Sequence, residues 1–154
     1  MDCLFSTALN ESELRDLRKE NIIIKGVPEL PSGDLKERAT YDRKKCDEIF
    51  SLLELDKDDI SHVRRIGKLR KDGKRFLRVR CSNSEKKMTI LYRAKSLKNY
   101  STFKNVFVCK DLTPLQQKEQ QKLREELKRR KEDNEDVVIF RGKVCNRKEI
   151  SHFQ

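Results

Sequence analysis

"KRFLRVRC", residues 74–81, decides the fold: alternation places Leu77, Val79 and Cys81 on one face of a strand and Lys74, Phe76, Arg78 and Arg80 on the other. An apolar side that needs covering and a basic side left on display describe a half-buried antiparallel strand. Just upstream, "ISHVRRIGK" is a second strand-like run, joined to the first through "LRKDGK", in which Asp72-Gly73 is a strong hairpin signal. The two strands are expected to be antiparallel neighbours.

On the N-terminal side of this hairpin, "YDRKKCDEIFSLLE" (residues 41–54) sets Cys46, Ile49, Phe50 and Leu53 at i, i+3, i+4 and i+7, the stripe of a helix laid on a sheet. Before it, "NIIIKGVPE" begins a strand at Asn21 and stops at Pro28, and "LPSGDLKERAT" reads as a polar connection. On the C-terminal side, Ser82 and Glu85 in "SNSE" have capping-box spacing and introduce a helix with Met88, Leu91 and Ala94 inward. "NVFVCK", residues 105–110, supplies a fourth strand.

The order is therefore βαββαβ, an α+β fold of the ferredoxin-like, RRM-like kind, with four antiparallel strands and two helices. Beyond it, "TPLQ" starts a long polar helix, with Thr113 as cap, Pro114 at the first helical position and Gln116 in the box position. Its narrow stripe is Leu115, Leu123 and Leu127. "VVIFRGKVC" then reads as a hairpin closing at Arg141-Gly142. The expected organisation is a helical or disordered lead over 1–20, an RRM-like domain over 21–112, and a helix-plus-hairpin lobe over 113–154. In the lead, "ESELRDLRKEN" carries only Leu14 and Leu17 at helical spacing, which reads as a plain solvated helix or the last turns of a coiled coil, so self-association is left open.

Charge is concentrated. Residues 60–110 hold sixteen Lys/Arg against Asp72 and Glu85, a surplus of +14 where the whole chain has +11. A field of that density repels itself unless an anion sits in it, and nucleic acid is the commonest such anion. Five dispersed cysteines, at 3, 46, 81, 109 and 145, form no C-x-x-C pair, and with only His62 and His152 beside them no zinc site is expected. No apolar run is long enough to span a bilayer and the start lacks a signal peptide, so the expected setting is cytoplasm or nucleus, without a membrane.

The third strand resembles the RNA-recognition motif pattern K/R-G-F/Y-G/A-F-V-x-F/Y in part: Lys74 takes its first place, Phe76 the aromatic third and Val79 the sixth, with Arg78 where a second ring would stand. The first strand offers Ile23 and Lys25 in place of a ring, which points to phosphate contacts and weak sequence discrimination. More specifically, "ENIIIKGVPE", "VRRIGK", "RFLRVRCSNSEKKMTILYRAKSLKN", "NVFVCKDLTPLQQKEQQKLREELKRRK" and "VVIFRGKV" resemble the RNA-binding region of the first open-reading-frame proteins of non-LTR (LINE-type) retroelements, from about Glu20 to Lys148. Such proteins combine a trimerising coiled coil, an RRM-type domain and a small C-terminal domain, coat the element's RNA and act as nucleic-acid chaperones.

That resemblance implies a binder of single-stranded RNA, with single-stranded DNA as a further ligand. It supports Lys74, Arg75, Phe76, Arg78 and Arg80 as contacts, with Arg64, Arg65 and Lys68 on the adjoining strand; Lys25 and the hairpin's Arg70 and Lys71 complete the basic track. Phe107 is a reserve candidate. Two competing readings are a protein-interaction module with the sheet covered by the C-terminal helix, and a metal-dependent nuclease built on Asp56, Asp58 and Asp59. Those aspartates stand where a helix gives way to a strand, the usual place for capping, and no nucleophile and base share a recognisable spacing. The expectation is a binding protein without cofactor or metal, not an enzyme.

Overall fold

The computed structural model describes residues 9–150, so the first eight residues of the expected lead, with Cys3, and the last four, with His152, lie outside the described residues. The described residues divide into two compact units: Ser12–Asp111, and a second made of residues 112–150 together with residues 9–11.

In the first unit a short helix, α1 (Glu11–Arg18, its first residue aside), precedes strand β1 (Asn21–Lys25), helix α2 (Leu35–Leu52), strands β2 (Ile60–Arg65) and β3 (Leu77–Cys81), helix α3 (Ser84–Arg93) and strand β4 (Phe107–Lys110). The four strands form one antiparallel sheet in the order β2-β3-β1-β4. As alternation requires, Leu77, Val79 and Cys81 are buried, and they meet Ile22 and Ile24 of β1 and Cys46, Ile49, Phe50 and Ile90 of the two helices in a single core. Gly26 ends β1 with φ +92°, and a side chain there would strike the carbonyl oxygen of Asn105 at 2.2 Å, so only glycine fits this turn.

Several expected boundaries move. Helix α2 starts at Leu35, six residues before the expected stretch 41–54, because the Asp34 carboxylate accepts the amide of Glu37 and caps it there. Asn83 rather than Ser82 caps α3, accepting the amide of Lys86. Met88 is half-exposed, and the inward positions are Ile90, Ala94 and Leu97, with Leu91 partly buried against the same core. Regular pairing in β3 begins at Leu77, although the amide of Ile66 still reaches the carbonyl of Phe76 at 2.9 Å.

In the second unit, helix α4 (Pro114–Glu132) has the full capping box: the amide of Gln116 donates to the Thr113 hydroxyl and the Gln116 side chain accepts the amide of Thr113. The Thr113 hydroxyl donates in turn to the Glu11 carboxylate at 2.6 Å. Strands β5 (Val137–Phe140) and β6 (Lys143–Asn146) form a hairpin whose Arg141 and Gly142 both take positive φ, the geometry of a tight two-residue turn, and a short helix α5 (Arg147–Ile150) follows. Leu123 and Leu127 are half-buried and Leu115 is 45% exposed, so α4 is held along a narrow seam. Among the described residues no helix is long and apolar enough to cross a membrane.

Candidate nucleic-acid interface

The sheet face away from the core is read from the strand register. One row holds Arg64, Arg78, Ile23 and Cys109; toward the hairpin end Lys25 pairs with Phe107, and Phe76 is the next outward residue of the third strand. Arg64 and Arg65 are neighbours on one strand and therefore point to opposite faces. A bulge between Ser61 and Arg64, with His62 at φ +50°, sets which goes where: Arg64 falls opposite Arg78, and Arg65 opposite the inward Leu77.

Arg65 is consequently not a free cation. Its guanidinium donates to the carbonyls of Val27 and Arg75 at 2.6 Å each and of Pro28 at 3.0 Å, and to Asp42 of α2 at 3.0 Å. With 6% of its side chain exposed, it clamps three chain segments rather than facing a ligand. Arg75 alternates with Phe76 and likewise turns away, its Nε and Nη2 both donating to Oε1 of Glu29, at 2.9 and 2.7 Å. The hydrogen bonds from Arg75 hold the Glu29 carboxyl below its ordinary range, and Glu29 raises Arg75. Both residues belong to the framework, a correction to the contact set expected from sequence.

The centre of the outer face is also more self-contained than its sequence implies. Ile23, expected on display, is only 6% exposed, flanked in register by Arg78 and Cys109. Asp111, just beyond β4 and nearly buried, gathers Arg78 (2.9 Å), Arg18 (3.8 Å) and the Asn21 amide (3.0 Å). The Arg78 Nε lies off the hydrogen-bonding direction there and makes an ion contact without an aligned hydrogen bond; its Nη2 reaches the other carboxylate oxygen at 3.4 Å. Arg80 is 59% exposed, with Glu20 at 3.9 Å. The uncompensated basic row expected along the third strand is thus matched at Arg78 by a buried carboxylate from outside the basic window, and only loosely at Arg80.

The hairpin end of the sheet is different. Phe76 has two cations near its ring, the Lys25 ammonium 4.9 Å and the Arg70 guanidinium 5.0 Å from its centre. Phe107, in register with Lys25, is 63% exposed. Lys68 and Lys71 are exposed in the connecting loop and Lys74 is half-buried beside it. Arg70 is about half exposed, with Asp72 at 3.4 Å; Asp72 accepts the amide of Lys74, which lowers its pKa. Two rings and several cations therefore converge at one end, and the reserve residue Phe107 becomes a principal one. Its signal in the sequence was alternation with Val106 and Val108.

The other candidate chemistry resolves into structural roles. Asp56 accepts the amide of Asp58 and caps the 3-10 turn Lys57–Asp59, while Asp59 pairs with Lys86 at 3.5 Å. Among the described residues no cluster of three or more His, Cys, Asp or Glu side chains is placed to hold a metal ion. His62 is exposed, its Nδ1 2.9 Å from the Ser61 hydroxyl. Cys46 and Cys81 are buried, and desolvation pushes their thiols to about 12 and about 11, so both stay protonated at neutral pH. Compared with known proteins, the chain matches no family model and no curated protein.

Proposed function

We propose that Ser12–Asp111 is an RRM-like, ferredoxin-like domain that binds single-stranded RNA, and single-stranded DNA as well, with little sequence preference, as the RNA-binding region of a LINE-type first open-reading-frame protein does in its role as a nucleic-acid chaperone. The strand order β2-β3-β1-β4, with α2 and α3 on one side, is the arrangement that a βαββαβ chain of this kind takes and supports the reading. The observation that carries it is the hairpin end of the outer face: Phe76 with Lys25 and Arg70 at its ring, and Phe107 exposed beside Lys25.

Physically, the exposed Phe107 ring offers a π-face to unpaired bases, which accepts any base, with Phe76 beside it where a base displaces Lys25 or Arg70, while Lys25, Arg64, Lys68, Lys71 and Lys74 attract the phosphates. Arg70, whose guanidinium lies 5.0 Å from the Phe76 ring centre, can stack on a base with its plane. A site of this make-up discriminates single strands from duplexes better than one sequence from another.

Fluorescence-polarisation titrations with oligo(U), oligo(dT) and duplex RNA at two salt concentrations test the proposal. Both single strands are expected to bind ahead of the duplex, with log K falling against log salt by about 0.7 for each phosphate neutralised. Affinity that ignores salt would instead favour a protein-interaction module docking on the exposed rings, since an apolar interface responds little to screening.

A further inference from the structure

The cations of the first unit are not all compensated as Arg65, Arg75 and Arg78 are. From Lys86 to Lys110 the chain carries seven Lys/Arg and no carboxylate. Three of these have internal work: Lys86 pairs with Asp59, Lys87 donates to the carbonyl of Lys19, and Arg93 donates to the carbonyls of Leu53 and Glu54. Lys95, Lys98, Lys104 and Lys110 are exposed and make no ion pair among the described residues.

One of the four, Lys95, lines an open groove of about 550 Å³ on the helical side of the unit, where α2 ends and α3 passes into the 3-10 turn Ala94–Asn99, and Lys98 follows it three residues on in that turn. Leu52 and Leu53 contribute apolar surface, Tyr92 and Tyr100 supply rings that are 74% and 37% exposed, and Lys95 lies 5.6 Å over the Tyr92 ring. Glu54 is the one carboxylate lining it. The carbonyl end of a helix ordinarily repels anions. Here Arg93 covers the end of α2, which removes that objection.

We propose that this groove is a second contact for single-stranded nucleic acid: bases stack on Tyr92 and Tyr100, and Lys95 and Lys98 hold the adjoining phosphates. The inference rests on the reading that the unit binds single strands, and adds a surface on the side opposite the sheet's outer face. Exposed rings interleaved with unpaired lysines are the components of a stacking platform in an electrostatic track. With two such surfaces, one domain engages two segments of a strand, or two strands at once.

The test is oligo(U) binding by the full chain, with Tyr92→Ala and the double variant Lys95→Gln/Lys98→Gln beside wild type, the fold being checked by circular dichroism. These side chains are exposed, so the variants are expected to fold as wild type. Tyr92→Ala should weaken binding about fivefold or more, with Tyr92→Phe restoring it. The lysine pair should flatten the salt slope by about 1.4. Photo-crosslinking of 5-bromouridine-substituted oligo(U) should label Tyr92 or Tyr100. Wild-type affinity and slope in both variants would overturn the inference while leaving the outer-face site standing; absence of oligo(U) binding by wild type would overturn both. Retention of Tyr92 and Lys95 function only toward phosphatidylserine vesicles would assign the groove to a membrane surface and likewise overturn it.

Discussion

Arg65 and Arg70 stand five residues apart in one basic run, and the fold gives them opposite fates. Arg65 donates to three carbonyls and to Asp42 from a site only 6% exposed, whereas Arg70 is about half exposed and rests on the ring of Phe76. The same contrast separates the centre of the sheet, where Asp111 answers Arg78, from its hairpin end, where Lys25 and two phenylalanines face outward. Charge density along a sequence therefore counts cations without telling which are free. That depends on strand parity and on carboxylates that the fold delivers from elsewhere.

The contrast is most easily broken at Arg65. Removing one partner of a buried, hydrogen-bonded ion pair leaves the other uncompensated, so Arg65→Ala should cost about 3 to 5 kcal/mol in urea denaturation. Arg70→Ala should stay within about 0.5 kcal/mol of wild type, as exposed substitutions do. Equal stabilities would end the division into framework and surface arginines. Next in size is Phe107→Ala, which should leave the melting temperature unchanged and lower affinity for oligo(U) by about 1 to 3 kcal/mol, the usual worth of a stacked base. Unchanged affinity would take the hairpin end out of the interface.

Elements whose signals are local were legible in the sequence. Asp72-Gly73 joins antiparallel neighbours, the Thr113–Gln116 box caps α4, and Cys46, Ile49 and Phe50 are the buried stripe of α2. The early start of α2 was also written there, as Asp34 with Glu37 three residues on, but the polar sequence that follows hid it. Phasing α3 on Met88, Leu91 and Ala94 points Met88 inward; Ala94 is buried, but Ile90 and Leu97 set the face with it and Met88 turns out. The site was less legible. Arg75 and Arg65 could have been removed by alternation, given the bulge at His62, but Glu29, Asp42 and Asp111 reach their arginines from outside the window in which the charges were counted.

Asp111 sharpens the comparison in the other direction. Asp111→Asn keeps the shape and an acceptor for Asn21 but removes the charge that holds Arg78 and Arg18. Both arginines are about one quarter exposed and can turn to solvent, so moderate destabilisation is expected. Oligo(U) binding should tighten and its salt slope should steepen by about 0.7 for each arginine that gains a phosphate. A folded variant with the wild-type slope would mean that Asp111 fixes the sheet without restraining the binding surface.

The smallest effect concerns Glu29 and Arg75, the framework pair nearest the hairpin end. Because hydrogen bonds from Arg75 hold the Glu29 pKa below that of an unfolded glutamate, the folded state binds this proton less readily than the unfolded state. The stabilisation is therefore complete above the unfolded pKa and fades as pH falls through the lower folded value. Glu29→Gln should be less stable than wild type near neutral pH, and the gap should close on acidification into the region below the ordinary glutamate range. Paired denaturation curves across that range measure it. A gap that persists at the acid end would show that the carboxylate's charge is not what Arg75 responds to, and that the pair acts through shape and neutral hydrogen bonds alone.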